Sequence, residues 1–68
     1  MDKDDVELEV EFLFQTSMAI KISDGDVKPW IPKSQIVEPE MEEILNLEEG
    51  EVFELVIPQW LAKEKELI

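Results

Sequence analysis

The sequence predicts a mainly-β fold closed by a short C-terminal helix. Three observations predict it. Residues 6–14 alternate between two faces, Asp24-Gly25 marks a tight turn after an apolar run, and Pro58 opens a segment with helical spacing.

The first element is the clearest. Val6, Leu8, Val10, Phe12 and Phe14 point one way, and Glu7, Glu9, Glu11 and Leu13 the other. A period of two places the first set against a core and the second toward water. Gln15-Thr16-Ser17 is polar and turns the chain. A second strand then runs over residues 18–22, with Met18, Ile20 and Ile22 on one face. Asp24-Gly25 is a favoured hairpin dipeptide because both residues tolerate positive φ. The return strand, about 26–31, contains Pro29 and is followed by Pro32. Prolines cannot donate to a ladder, so this strand is expected at an edge or bent. Gln35-Ile36-Val37 is expected as a short further strand.

Residues 38–50 leave two alternatives open. Pro39 suits a helix N-terminus, Glu40, Glu42 and Glu43 suit its positive end, and Met41, Ile44 and Leu45 have helical spacing. An acidic loop is the alternative to this short helix. Glu49-Gly50 reads as a turn, and residues 51–57 form the last strand, with Phe53, Leu55 and Ile57 alternating against Val52, Glu54 and Val56. Pro58 ends it and begins a terminal helix over 58–68. A helix of that length is unstable alone in water and has to dock, with Trp60 as its expected anchor. The sum is about five short antiparallel strands and a helix: a curled sheet or a partly open small barrel of the SH3-like or OB-like kind. The chain reads as one small domain, with residues 1–4 expected to be disordered.

A chain of 68 residues carrying a net charge of −12 has a thin margin of stability, because so short a domain buries only about 60% of its unfolded surface. Its 44% apolar content is patterned rather than scattered, which argues for a folded chain. Cysteine and histidine are both absent. That removes disulfides, thiolate metal sites, the commonest zinc ligand and the usual general base near neutral pH. Asp24 and Asp26 flank a turn glycine, but the ligand series of a calcium loop is missing, so a plain turn is expected. No carboxylate pair stands out, and two glycines cannot make a phosphate loop. We therefore expect no enzyme, no metal and no cofactor. The lack of cysteine, of a long apolar run and of a basic leader points to a cytoplasmic protein that does not enter a membrane.

The segment 27–37, VKPWIPKSQIV, holds Lys28 and Lys33 and no acid, in a chain with 18 acidic residues. Trp30 between two prolines offers a flat apolar face and one donor, as interface centres do. Lys28, Trp30, Lys33, Ser34 and Gln35 are the candidate contact residues for a protein partner. The competing reading makes Trp30 a core or rim residue on an edge that lysines and prolines protect from aggregation.

A second group is acidic: Glu38, Glu40, Glu42, Glu43, Glu48, Glu49 and Glu51, followed by Glu54, with no Lys or Arg among them. If the first and last strands pair, this cluster shares a face with Asp2, Asp4, Asp5, Glu7, Glu9 and Glu11. Such a face either solvates a small protein or mimics nucleic-acid phosphates toward a basic groove. Direct binding of single-stranded nucleic acid by Trp30, Lys28 and Lys33 is a further alternative, opposed by the net charge. An edge strand in so short a chain would also allow a homodimer.

The run Trp30-Ile31-Pro32-Lys33-Ser34-Gln35, with Ile57-Pro58 and Trp60-Leu61-Ala62-Lys63-Glu64 after it, is similar to small uncharacterised domains of bacteria, archaea and their viruses. These carry a W-[IL]-P-K-S-Q segment and a P-x-W-L-A ending. The resemblance spans about residues 6–67 and implies a standalone domain in which the hexapeptide and the terminal Trp-Leu belong together. Residues 38–50 are longer and more acidic here than in that pattern. The expectation is thus a non-catalytic module that docks on a protein, with an acidic nucleic-acid mimic as the alternative.

Overall fold

A computed structural model of the protein describes residues 4–68. The strands are β1 (Asp5–Gln15), β2 (Ala19–Ser23), β3 (Trp30–Pro32) and β4 (Val52–Pro58), and the helices are α1 (Met41–Leu45) and α2 (Gln59–Glu64). All pairings are antiparallel, and the four strands form one unclosed sheet in the order β3-β2-β1-β4.

β1 is long because its alternation is long. Val6, Leu8 and Val10 lie opposite Ile57, Leu55 and Phe53. Together with Phe12, Ile20, Ile22 and Ile31 they form the inner face of the sheet. Ile44 of α1 and Leu61 and Ala62 of α2 complete the core from the other side. The outer face of β1 and β4 carries Glu7, Glu9, Glu11 and Glu54, as the alternation requires.

The alternation breaks at Leu13. Phe12 pairs with Ile22 and Phe14 with Lys21, so one step along β2 answers two along β1 and Leu13 is the extra residue. Such a bulge reverses the facing of every later residue. Phe14, expected on the core side, therefore stands on the outer face and is exposed. Gln15 takes the inward position opposite Ile20.

Several other expectations are corrected. Met18 is not a strand residue facing the core but is 76% exposed in the β1–β2 turn. The Thr16 hydroxyl accepts the amides of Met18 and Ala19 at 3.2 and 3.1 Å and holds that turn. The return strand is shorter than expected: it is confined to Trp30–Pro32, at the sheet edge that its prolines predict. Among the described residues there are four strands rather than five, because Lys33–Gln35 form a 3₁₀ turn and the segment after it meets β4 in an isolated bridge, Glu38 to Val56. Of the short helix in the acidic segment only Ile44 is buried, while Met41 and Leu45 are exposed.

The terminal helix occupies Gln59–Glu64 rather than 58–68. Its anchor is not Trp60, which is 58% exposed, but Leu61 at 2% and Ala62 at 0%. Burying Leu61 is worth about 2 kcal/mol, enough to hold a helix this short in place. Of the residues expected to be disordered, 1–3 lie outside the described residues. Asp4 is placed, its carbonyl accepting the Gln59 amide at 2.7 Å.

Candidate functional site

The outer face of the sheet is divided by chemistry. β4 and the first part of β1 are acidic, whereas Phe14 near the end of β1, Lys21 of β2 and Trp30 of β3 form one row across three strands. The row exists because the bulge at Leu13 turns Phe14 toward Lys21, and Lys21 pairs with Trp30. Phe14 and Trp30 meet edge to face, with ring centroids 6.2 Å apart and planes at 88°. Lys21 Nζ lies 5.7 Å from the centroid of the Trp30 ring. An aromatic pair of this kind contributes about 0.5–1.5 kcal/mol, and the cation over the ring about 0.5–1 kcal/mol at an exposed site. Trp30 is fixed by these contacts and still 40% exposed.

Beside Trp30 opens a groove of about 490 Å³, lined by Met18, Pro32, Lys33, Ser34, Met41 and Lys65 among others. It contains no carboxylate. Different elements supply its walls: the β1–β2 turn, β3 and the turn after it, the first residue of α1, and the end of α2.

The candidate contact residues divide accordingly. Trp30, Lys33 and Ser34 share this groove, whereas Lys28 is exposed in the preceding loop and Gln35 is half-buried outside it. Lys33 departs most from expectation. It is 7% exposed, and its Nζ donates to Gln15 Oε1 at 2.8 Å. Gln15 Nε2 in turn donates to the Ile44 carbonyl at 3.1 Å. This chain ties β1, the 3₁₀ turn and α1 together beneath the groove, so Lys33 supports the floor rather than offering a solvated charge. Lys21, Phe14, Met18, Met41 and Lys65 were not among the sequence candidates. The facing of Lys21 was readable from strand alternation; the others depend on the bulge and on contacts distant in sequence.

The acidic candidates also divide. Glu38, Glu40, Glu43 and Glu51 join Glu54 around an open pocket of about 560 Å³ floored by Pro39, Leu47 and Phe53. Glu42, Glu48 and Glu49 are exposed outside it. On the adjoining sheet face Glu9 lies directly opposite Glu54, and Glu7 lies opposite Val56. The Glu54 charge raises the Glu7 pKa above its ordinary value, with desolvation, a hydrogen bond to Glu54 and the Glu38 charge adding to it. The pairing of first and last strands thus gathers carboxylates from both ends of the chain, as expected if those strands were neighbours.

The Asp24 turn uses its carboxylate on its own backbone. Oδ1 accepts the amides of Asp26 and Val27 at 2.8 and 2.9 Å, and the Val27 and Asp26 bonds lower its pKa. Gly25 provides the positive φ, 103°, that the turn requires. Among the described residues no cluster of three or more His, Cys, Asp or Glu is arranged to hold a metal ion. Among them, too, no helix is long and apolar enough to cross a membrane.

The chain matches no known family, no curated protein and no solved structure.

Proposed function

We propose that this chain is a non-catalytic binding module that docks on a protein partner through the surface around Trp30. One observation carries the reading: an exposed aromatic and methionine surface, free of carboxylates, on a chain of net charge −12. Patches of this composition are typical of interface centres, where aromatic residues and methionine are enriched and acids depleted. Trp30 is held by Phe14 and Lys21 before any partner arrives, which reduces the ordering cost of binding. A photo-crosslinking residue at Ser34 in cells should trap a discrete protein, and the purified pair should lose about tenfold or more in affinity with Trp30→Ala. A crosslink indifferent to Trp30→Ala would sink the reading.

Residues 33–38 pass from the β3 edge of the sheet to a bridge on β4. That short path supports a strongly curled sheet and a relationship to partly open SH3-like or OB-like barrels. The absence of cysteine supports a cytoplasmic setting.

A second reading has its own observation. The carboxylates of Glu7, Glu9, Glu11 and Glu54 on one sheet face support an acidic nucleic-acid mimic that occupies a basic groove. Affinity for the target should then fall steeply with salt and collapse when Glu7, Glu9, Glu38 and Glu54 are changed to Gln. Salt-insensitive binding would exclude it.

A further inference from the structure

We infer that the groove beside Trp30 takes an extended, acidic segment of the partner, carrying an apolar anchor and pairing with the β3 edge at Trp30. The inference rests on the protein-docking reading and specifies the occupant.

The ladder geometry supplies the first part. Ile22 N–H donates to the Pro29 carbonyl and Lys33 N–H to the Met18 carbonyl. With Ile20 opposite Ile31, these alternate positions are the hydrogen-bonded pairs between β2 and β3. Trp30 lies between them in a non-bonded pair, so its N–H and C=O point away from β2. Because β3 is the last strand on that side of the sheet, both groups face an open edge. Pro29 and Pro32 have no N–H, which limits any added strand to a short register centred on Trp30. Addition of a strand at such an edge is a recurrent mode of peptide recognition, with alternate side chains entering neighbouring pockets.

Charge supplies the second part. Lys21 lies over the Trp30 ring, Lys65 lines the groove, and Lys28 lies two residues before Trp30 in the chain. Lys33 is committed to Gln15. Apolar walls of Met18, Trp30, Pro32 and Met41 therefore carry a cationic rim with no acid among the lining residues. A segment with a Leu, Phe or Met anchor flanked by Asp or Glu complements both features. A polyanionic strand would meet the same lysines, but its length would bring it against the acidic half of the sheet face.

The test selects peptides from a phage-displayed random dodecapeptide library on the purified protein and measures their affinity in solution. Selected peptides should be rich in Asp and Glu around an apolar anchor. They should weaken about tenfold or more with Trp30→Ala and about threefold with Lys65→Glu. The bound peptide should also slow hydrogen exchange at the Trp30 amide. Circular dichroism checks the fold of Trp30→Ala, and Lys65→Glu at a helix end gives an independent reading. Peptides that need Trp30 but are neutral or basic, or leave its amide unprotected, overturn the proposed occupant while the docking reading stands. If no selected peptide depends on Trp30, both fall. Tighter binding of oligothymidine than of any selected peptide would replace the protein segment with a nucleic acid.

Discussion

Phe14 stands edge-on to Trp30 although the two residues lie on strands separated by β2, and a single inserted residue, Leu13, brings them to the same face. Without the bulge Phe14 would follow Phe12 into the core, and Trp30 would lose its aromatic neighbour. The core would also lose the inward Gln15 that holds Lys33. One backbone irregularity thus shapes both the aromatic row and the support beneath the groove.

The exposed row should contribute little to stability compared with the residue beside it. Trp30→Ala should cost about 1–2 kcal/mol, from the lost ring contacts and partial burial. Ile31→Ala, at a fully buried position, should cost about 2–5 kcal/mol. Urea unfolding of both variants checks this order, and a reversed order would place Trp30 in the core.

The terminal helix gives a sharper contrast. Leu61→Ala should destabilise by about 2–4 kcal/mol, since it opens a cavity against the sheet. Trp60→Ala should stay within about 1 kcal/mol because its ring is largely in water. Thermal melts of the two variants decide between Leu61 and Trp60 as the docking anchor.

Gln15 and Lys33 should behave as a coupled pair. Removing either leaves a partly buried polar partner unsatisfied, at about 1–3 kcal/mol. Gln15→Leu combined with Lys33→Met should recover much of that loss, since both polar groups then disappear together. A double-mutant cycle measured by denaturation reads the coupling directly.

Two carboxylates should leave opposite marks on the pH dependence of stability. Glu7 has a raised pKa in the folded state, so its favourable contribution is complete below the ordinary value of 4.5 and is lost as pH climbs through the raised value. Glu7→Gln should therefore flatten the decline of stability above that point. Asp24 has a lowered pKa, so its contribution is present above 3.8 and is lost as pH falls through the lowered value. Asp24→Asn should remove that acid-side loss. Denaturation across the acidic range with both variants tests the two signs, and added salt should shrink the Glu7 effect by screening Glu54.

Much of the architecture was legible because it is local. The alternation of Val6 to Phe12 against Glu7 to Glu11 marks a half-buried strand wherever it occurs. The prolines around Trp30 force an edge, and Asp24-Gly25 closes a turn with its own carboxylate. The exposure of Trp30 was left open, since a proline-flanked tryptophan suits a rim as well as a core. Met41 and Lys65 gave no signal as groove residues because the elements that carry them are distant in sequence and meet only in the folded chain.

By itself the sequence determined the antiparallel strands, the acidic outer face of β1, the edge character of β3 and the lack of histidine and cysteine chemistry. Tertiary structure alone decided which way Phe14 faces, that Lys33 is buried on Gln15, and that Leu61 rather than Trp60 holds the last helix. The reason is physical. A residue's facing along a regular strand follows from backbone geometry, but a bulge is placed by the register of the partner strand. A six-residue helix carrying both Trp60 and Leu61 has two apolar sides, and only the surface presented by the sheet selects between them.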